Sequence, residues 1–154
     1  MRRTRALAMF ALVAAVGVAC NDNNSTGIPA GLEVYTATLN GANERPTPVT
    51  TTATGTAVVT AIGNRLSWRV DINSAIDSVT IGHIHRGVAD SAGGVIRDLA
   101  PTPTGIGFTG TVALDSATVA DSVLTLMRAG RAYVNIHTKA HGAGEIRGQL
   151  QKVQ

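Results

Sequence analysis

The stretch that decides the fold class is Leu66-Ser-Trp-Arg-Val-Asp-Ile72. Its apolar residues stand at every second position, with Ser, Arg and Asp between them. Successive side chains of a β-strand point to opposite faces of the sheet, so this alternation predicts a strand with one face in the core. Trp68 is the largest side chain on that apolar face, and we expect it at the centre of the core.

The residues around this strand predict a hairpin and a series of further strands. Gly55 to Ala61 is a second alternating run, and the Gly63-Asn64 pair between the two runs is typical of a tight hairpin turn. Other short apolar runs predict strands at residues 33–40, 79–86, 95–99, 105–114, 131–138 and 145–151. In the strand at 79–86, strict alternation would place Val79, Ile81, His83 and His85 on the same face.

One segment departs from the strand pattern. Val119, Val123 and Met127 recur at helical spacing, and Gly130 follows them as a helix-ending glycine, which predicts one short helix near residues 117–129. About seven or eight short strands with a single helix predict an all-β fold, an antiparallel Greek-key β-sandwich or barrel. We expect this folded domain to span residues 33–151.

The amino-terminal residues predict export from the cytoplasm. Residues 1–19 begin with Met-Arg-Arg-Thr-Arg and continue with an apolar run from Ala6 to Val18, which is the pattern of a signal peptide. The run is too short for a membrane-spanning helix, which needs about 20 apolar residues. Cys20, the single cysteine of the chain, follows this segment directly.

The residues before this cysteine predict a lipid anchor. Gly17-Val-Ala-Cys20 resembles the lipobox of bacterial lipoproteins, although Gly17 stands where leucine is usual. The resemblance implies cleavage before Cys20 and lipidation of its sulfur, and two or three acyl chains anchor stably at about 0.8 kcal/mol per buried CH₂. Residues 20–32 would then be a lipidated, flexible tether. We expect a protein secreted across the cytoplasmic membrane and lipid-anchored at the bacterial cell envelope.

The basic charge of the chain belongs to the predicted signal peptide. The sequence pI is about 9.6, with 13 basic and 10 acidic residues. Residues 1–19 contain three of the arginines and no acidic residue, so the remaining chain carries no net charge. Since a nucleic-acid-binding surface needs an excess of basic residues, nucleic acid is excluded as a partner.

The four histidines predict a candidate metal site. His83 and His85 project to the same side of one strand, about 6.5 Å apart. His137 lies in a second strand, and His141 lies in the turn that follows it. Because neutral imidazoles are good ligands for zinc and copper, the first three histidines are the main candidate ligands. His141 and Glu145 are weaker candidates, the latter also as an acceptor that orients a histidine.

The same segments allow a purely structural interpretation. Asn135, Glu145 and Arg147 lie on or beside the last two strands, where a polar cross-strand pair contributes about 0.2–1 kcal/mol. The histidines would then join these three residues in a hydrogen-bonded polar cluster. No catalytic residue is predicted, because the sequence contains no glycine-rich phosphate loop, paired catalytic carboxylates or nucleophile elbow.

Five motifs follow one another along the chain: Leu39-Asn-Gly-Ala-Asn-Glu-Arg-Pro46, Ala53-Thr-Gly-Thr-Ala57, Gly82-His-Ile-His-Arg-Gly87, Ala129-Gly-Arg-Ala-Tyr-Val-Asn-Ile-His-Thr138 and Gly144-Glu-Ile-Arg-Gly-Gln-Leu150. In this order they resemble the CHRD domain, which occurs as repeats in chordin and singly in many bacterial secreted proteins. The resemblance covers about residues 33–151. It implies an extracytoplasmic β-sandwich or barrel without an established catalytic activity.

Two functions remain open from the sequence. The first is a cell-envelope lipoprotein whose CHRD-like β-sandwich is a non-catalytic binding or structural module for an unknown protein or envelope ligand. The second is a copper- or zinc-binding β-barrel, with or without redox activity, that uses His83, His85 and His137. The His83-Ile-His85 strand also resembles, more weakly, copper–zinc superoxide dismutase. This chain has neither a cysteine pair for a disulfide nor a recognisable zinc-bridging histidine loop.

Overall fold

A computed structural model describes residues 29–154. The predicted signal peptide at 1–19, Cys20 and most of the predicted tether lie outside the described residues. Within residues 29–154, no helix is both long enough and apolar enough to cross a membrane.

The described chain forms nine strands and one helix. The strands are β1 (Leu32–Asn40), β2 (Thr54–Ile62), β3 (Arg65–Ile76), β4 (Val79–Arg86), β5 (Val95–Asp98), β6 (Phe108–Thr118), β7 (Ala132–Thr138), β8 (Ile146–Gln149) and β9 (Gln151–Lys152), and the helix is α1 (Asp121–Arg128). They form one antiparallel sheet in the order β5-β4-β7-β8-β1-β2-β3-β6, with β9 also paired to β1. The sheet curls into a half-barrel, which confirms the predicted all-β sandwich or barrel class.

The alternating strand β3 supplies the centre of the core, as its sequence predicts. Leu66, Trp68, Val70 and Ile72 are buried, while Ser67, Arg69 and Asn73 between or beyond them are exposed. The Trp68 indole N–H donates a 3.0 Å hydrogen bond to the carbonyl oxygen of Leu99, just after β5. Because β3 and β5 lie near opposite ends of the strand order, this bond joins the two ends of the curled sheet.

The helix is shorter than its apolar spacing predicts. Strand β6 continues to Thr118 because Ala117 pairs with Leu66 in the β3–β6 ladder. Helix α1 therefore begins only at Asp121, and it buries Val123, Leu124 and Met127 against the sheet. Here the hydrogen bonds of the sheet override a helical pattern in the sequence.

A bulge in β4 separates Val79 from the two histidines of the strand. The β4–β7 register shifts between Val79 and Ile81. As a result Val79 packs in the core, whereas Ile81 is 45% exposed on the outer side of the sheet. The prediction that Val79 shares a face with His83 and His85 is wrong, because a bulge re-aims the side chains that precede it.

Strand β7 is buried on both faces, and this positions the candidate site. Ala132, Val134 and Ile136 pack in the core, while the outer face carries Tyr133, Asn135 and His137. Three loops cover this outer face, at residues 41–51, 87–94 and 139–145. They reach it through hydrogen bonds of Glu44 to Asn135, Gly93 to Tyr133 and Gly142 to His137.

Candidate functional site

Three histidines meet on the outer face of β4 and β7. His83 Nδ1 lies 3.2 Å from His137 Nε2, and one ring nitrogen from each of His83, His85 and His137 lies within 4.8 Å of the other two. In a tetrahedral site with metal–nitrogen bonds of about 2.0–2.1 Å, ligand nitrogens are about 3.3–3.4 Å apart. The His83–His137 pair is already close to this spacing, and a ring nitrogen of His85 lies within 4.8 Å of both.

Backbone carbonyls determine which nitrogens of two histidines carry the proton. His85 Nδ1 lies 2.8 Å from the carbonyl oxygen of Gly93, and His137 Nδ1 lies 3.1 Å from that of Gly142. A carbonyl only accepts, so each Nδ1 must be protonated and each Nε2 keeps its lone pair. Metal-binding histidines are commonly oriented by such an acceptor on the other ring nitrogen.

The lone pair of His85 has no hydrogen-bond donor. Its Nε2 atom is buried and makes no hydrogen bond with any residue of the described chain. The His137 Nε2 atom faces His83 Nδ1, which donates to it when no ion is bound. Buried polar atoms normally have partners, so the arrangement at His85 suits a bound cation better than a self-contained polar cluster.

The surroundings of His85 and His137 disfavour the charged form of their rings. Burial lowers the pKa of His85 and the pKa of His137, and the nearby His83 acts in the same direction on both. Hydrogen bonds to the two loop carbonyls oppose the shift without reversing it. Since only the neutral imidazole binds a metal, the lowered pKa values of His85 and His137 favour the protonation state that can bind an ion.

Tyr133, on β7 with His137, packs against the His85 ring. Its ring stacks on that of His85 with centroids 5.0 Å apart and an interplanar angle of 8°. The Arg147 guanidinium carbon lies 3.5 Å from the centroid of the same ring. The Tyr133 hydroxyl accepts a 3.1 Å hydrogen bond from the Gly93 N–H, so one side chain contacts a histidine and holds the loop that orients it.

A second group of buried polar side chains lies beside the histidines. The Asn135 amide donates a 3.2 Å hydrogen bond to Glu44 Oε2. Burial raises the pKa of Glu44 to about 7, against the opposing effects of Asn135 and Arg147. Arg147, opposite Asn135 in the β7–β8 register, donates from Nη2 to the carbonyls of Val88 and Ser91, each at 2.9 Å.

Two of the predicted metal ligands, Glu145 and His141, lie outside the three-histidine group. Glu145 accepts hydrogen bonds from the hydroxyls of Thr51 and Thr138, at 2.8 and 2.7 Å. His141 lines a separate cavity of about 400 Å³ between the 44–49 and 140–144 segments. The structure thus brings together His83, His85 and His137, and it places Asn135 and Arg147 with Glu44 rather than with Glu145.

Sequence reasoning missed the residues that orient the site. Glu44 had one signal, its place in the Leu39–Pro46 motif, and this did not reveal that it would be buried. Tyr133 has no signal beyond its place in the 129–138 motif, which does not reveal its contact with the 87–94 loop. The carbonyls of Gly93 and Gly142 have no side-chain signal at all, because any residue type carries a carbonyl.

Comparison with known protein families matches residues 35–150 to the CHRD domain. This range contains all residues of the candidate site: the three histidines, Tyr133 and Arg147. No curated protein and no solved structure matches the chain.

Proposed function

Because the chain belongs to the CHRD family, we propose that it is a non-catalytic binding module of the cell envelope whose ligand is a zinc or copper ion held by His83, His85 and His137. The observation that carries this proposal is the pair of Nδ1–carbonyl hydrogen bonds, which leaves the lone pairs of His85 and His137 on Nε2. Within the described chain the His85 Nε2 has no donor, and the His137 Nε2 faces only another histidine of the group. A cluster that served only to stabilise the fold would need a donor for each buried lone pair.

The ligand set suggests how the ion would be used. Three protein ligands leave one position of a tetrahedral zinc or copper ion for water or another molecule. His83 is only partly buried, and its neighbour Ile81 is exposed, so this side of the site is accessible. An ion held in this way is available for capture, transfer or contact with a partner's side chain.

Redox activity at copper is the second candidate function. It is favoured by the same accessible position, because a copper ion must reach its electron donor or acceptor. It is tested by loading the protein with copper and measuring ascorbate oxidation and superoxide removal against the zinc-loaded protein. Equal, background rates for the two loaded forms would eliminate this candidate and leave metal binding intact.

The cellular location is also part of the proposal. Cys20 follows a signal-like segment and would carry lipid, which anchors the domain to a membrane. Strand β1 begins at Leu32, so about a dozen residues would separate the lipid from the sheet. Replacing Cys20 with Ser should abolish incorporation of a labelled fatty acid and move the protein from the membrane to the soluble fraction. Retention in the membrane fraction without label would contradict a lipid anchor.

The decisive experiment for metal binding is elemental analysis. The full chain should be purified without a histidine tag or chelator and analysed by plasma mass spectrometry. We expect close to one zinc or copper per chain, and a large loss for His137→Ala. His141→Ala is the matched control, since it removes an imidazole four residues away that is not in the group, and it should retain the ion.

Two results would overturn this proposal. The first is a protein that contains no metal and takes none up when zinc or copper is added. The second is an equal loss in His137→Ala and His141→Ala. Stability supplies an independent measurement, because an ion that binds only the folded state stabilises it by about 2.7 kcal/mol at 100 times its Kd. A chelator should remove that gain from the wild type and leave His137→Ala unchanged.

A further inference from the structure

We propose that the domain also binds a small oxyanion that carries a hydroxyl group, such as hydrogencarbonate or hydrogenphosphate, in a cavity between Arg147 and Arg45. We call this the arginine cavity. It has a volume of about 90 Å³ and is lined by Asn43, Arg45, Ala89, Arg147 and Gln149. At about 30 Å³ per water molecule, this volume accommodates roughly three waters or one anion of four or five heavy atoms.

The first argument is the buried charge of Arg147. The residue is 1% exposed, and its Nη1 atom makes no hydrogen bond within residues 29–154. The ion pairs of the described chain do not include it. Its two Nη2 bonds go to neutral carbonyls, which accept hydrogen bonds but do not compensate the charge. A buried guanidinium is costly unless an anion pairs with it.

The nearest acidic residues compensate this charge only in part. Glu44 interacts electrostatically with Arg147, but its own burial raises its pKa to about 7, so a large fraction is uncharged at neutral pH. Asp90 lies 3.5 Å from Arg45, yet its side chain is 91% exposed and its charge is screened by water. The cavity therefore has a positive potential, and an anion is the ligand that this potential favours.

Arg45 supplies a second cation that is held in position. Its Nη1 atom donates to the carbonyl oxygens of Ala42 at 3.0 Å and Glu44 at 2.7 Å. Its side chain is 27% exposed, so it lies at the solvent side of the cavity, whereas Arg147 lies at the buried side. Guanidinium groups bind oxyanions with strong, directional hydrogen bonds, and two of them on one small cavity form a suitable clamp.

Gln149 narrows the class of anion. Its Nε2 atom lies 2.9 Å from each of the carbonyls of Gly87, Gly130 and Ala132, which determines the orientation of the amide. Its Oε1 atom is buried and accepts no hydrogen bond within the described chain. Arg147 and Gln149 both line the cavity, and just behind its surface lie a donor without an acceptor on Arg147 and an acceptor without a donor on Gln149. An anion with both a charged oxygen and a hydroxyl would satisfy the two atoms together once these side chains turn towards it.

Anion titrations of the full chain test this inference. The protein is first stripped of metal and then freed of the chelator, so that the outcome does not depend on the proposed metal site. Hydrogencarbonate, inorganic phosphate, acetate and chloride are titrated at constant ionic strength, with binding followed by backbone amide chemical shifts. We expect saturable shifts in the 43–45, 88–91 and 147–149 segments with hydrogencarbonate or phosphate, and at least tenfold weaker binding of acetate and chloride.

Variants identify the residues responsible. Arg45→Gln should weaken binding at least tenfold, while Arg97→Gln, which removes a cation near Trp68 on another part of the sheet, should leave it unchanged. Arg147→Lys keeps the charge but loses the planar donor pair, and it should weaken binding even if loop 87–94 stays in place. The inference is overturned if no anion saturates, if acetate binds as tightly as hydrogencarbonate and phosphate, or if Arg45→Gln and Arg97→Gln behave alike.

Discussion

The hydroxyl of Tyr133 accepts a hydrogen bond of 3.1 Å from the backbone N–H of Gly93. The carbonyl oxygen of Gly93 in turn accepts the Nδ1 proton of His85, so the tyrosine holds the group that orients a proposed ligand. We expect Tyr133→Phe to weaken zinc binding by about tenfold, the lower end of the effect usual for residues that orient metal ligands. Competition with a chromophoric chelator measures this affinity.

Tyr35→Phe is the matched control for this variant. Tyr35 is as fully buried as Tyr133 and also uses its hydroxyl in a hydrogen bond, to Glu33 on the same strand. Within the described chain its hydroxyl makes no hydrogen bond to the three loops over the histidines, so zinc affinity should be unchanged. An equal loss of affinity in both variants would mean that general loosening of the sheet, and not the Gly93 contact, is responsible.

Glu44 should make the stability of the metal-free domain fall as the pH rises from about 4.5 to about 7. Its pKa is raised from 4.5 to about 7, chiefly by burial, so the folded state keeps a proton that the unfolded state has released in this range. The contribution is fully present below pH 4.5 and is lost as the pH passes 7. It amounts to at most about 3 kcal/mol, from 1.36 kcal/mol per pKa unit.

Urea unfolding of the wild type and Glu44→Gln between pH 4 and pH 8 measures this effect. The lowered pKa values of His85 and His137 act in the opposite direction, since they raise stability as the pH increases towards their unfolded value. They are present in both proteins and cancel in the difference. As the pH rises from 4 to 8, the free energy of unfolding of Glu44→Gln should increase relative to that of the wild type by up to about 3 kcal/mol. Parallel stability curves would contradict the raised pKa of Glu44.

Gly144 should not tolerate a side chain. Its φ angle is 131°, a region that L-residues rarely adopt, and an added Cβ would clash with the side-chain amide of Asn135. We expect Gly144→Ala to destabilise the domain by about 2–3 kcal/mol, measured from the urea midpoint. Gly142 lies in the same loop, and a Cβ added there meets no atom within 4 Å. The control Gly142→Ala should therefore change stability by less than about 0.5 kcal/mol. Similar losses at the two positions would show that the loop, not the contact with Asn135, is the sensitive feature.

Trp68→Phe should destabilise the domain by about 1–3 kcal/mol, because the buried carbonyl of Leu99 loses its donor. Equilibrium unfolding in urea gives the magnitude. Arg97→Gln removes the guanidinium that lies 5.2 Å from the centroid of the indole ring. This variant measures the cation–π contribution to stability separately from the hydrogen bond, and we expect that contribution to be below about 1 kcal/mol. A larger effect for Arg97→Gln than for Trp68→Phe would mean that the hydrogen bond to Leu99 is not the main contribution.

The strands with regular alternation were predictable from the sequence. β2 and β3 follow the two-residue period without interruption over most of their length, and so the burial of Trp68 and the hairpin at Gly63 could be expected. The sequence also supported the hypothesis that His83, His85 and His137 meet, because histidines on the same face of two strands come together when the strands are neighbours. In the structure β4 and β7 are paired neighbours in the sheet.

The loops and irregularities were not predictable in this way. The bulge after Val79 changes the faces of β4 without a glycine or proline to signal it. The sequence predicts Arg147 in a polar cluster with Asn135 and Glu145, but in the structure the 87–94 loop folds over it and supplies carbonyl partners. Such burial depends on where a distant loop packs, and a local period contains no information about it.

The place of β1 in the sheet has a consequence for how the chain folds. β1 pairs with β2, which follows it closely, and also with the last strands, through Asn40 with Arg147 and Tyr35 with Lys152. The sheet therefore cannot be completed until nearly the whole chain has been synthesised. Contacts between such distant residues also form slowly. Until then β1 can pair with β2 alone, and its other edge lacks the partners that the end of the chain supplies.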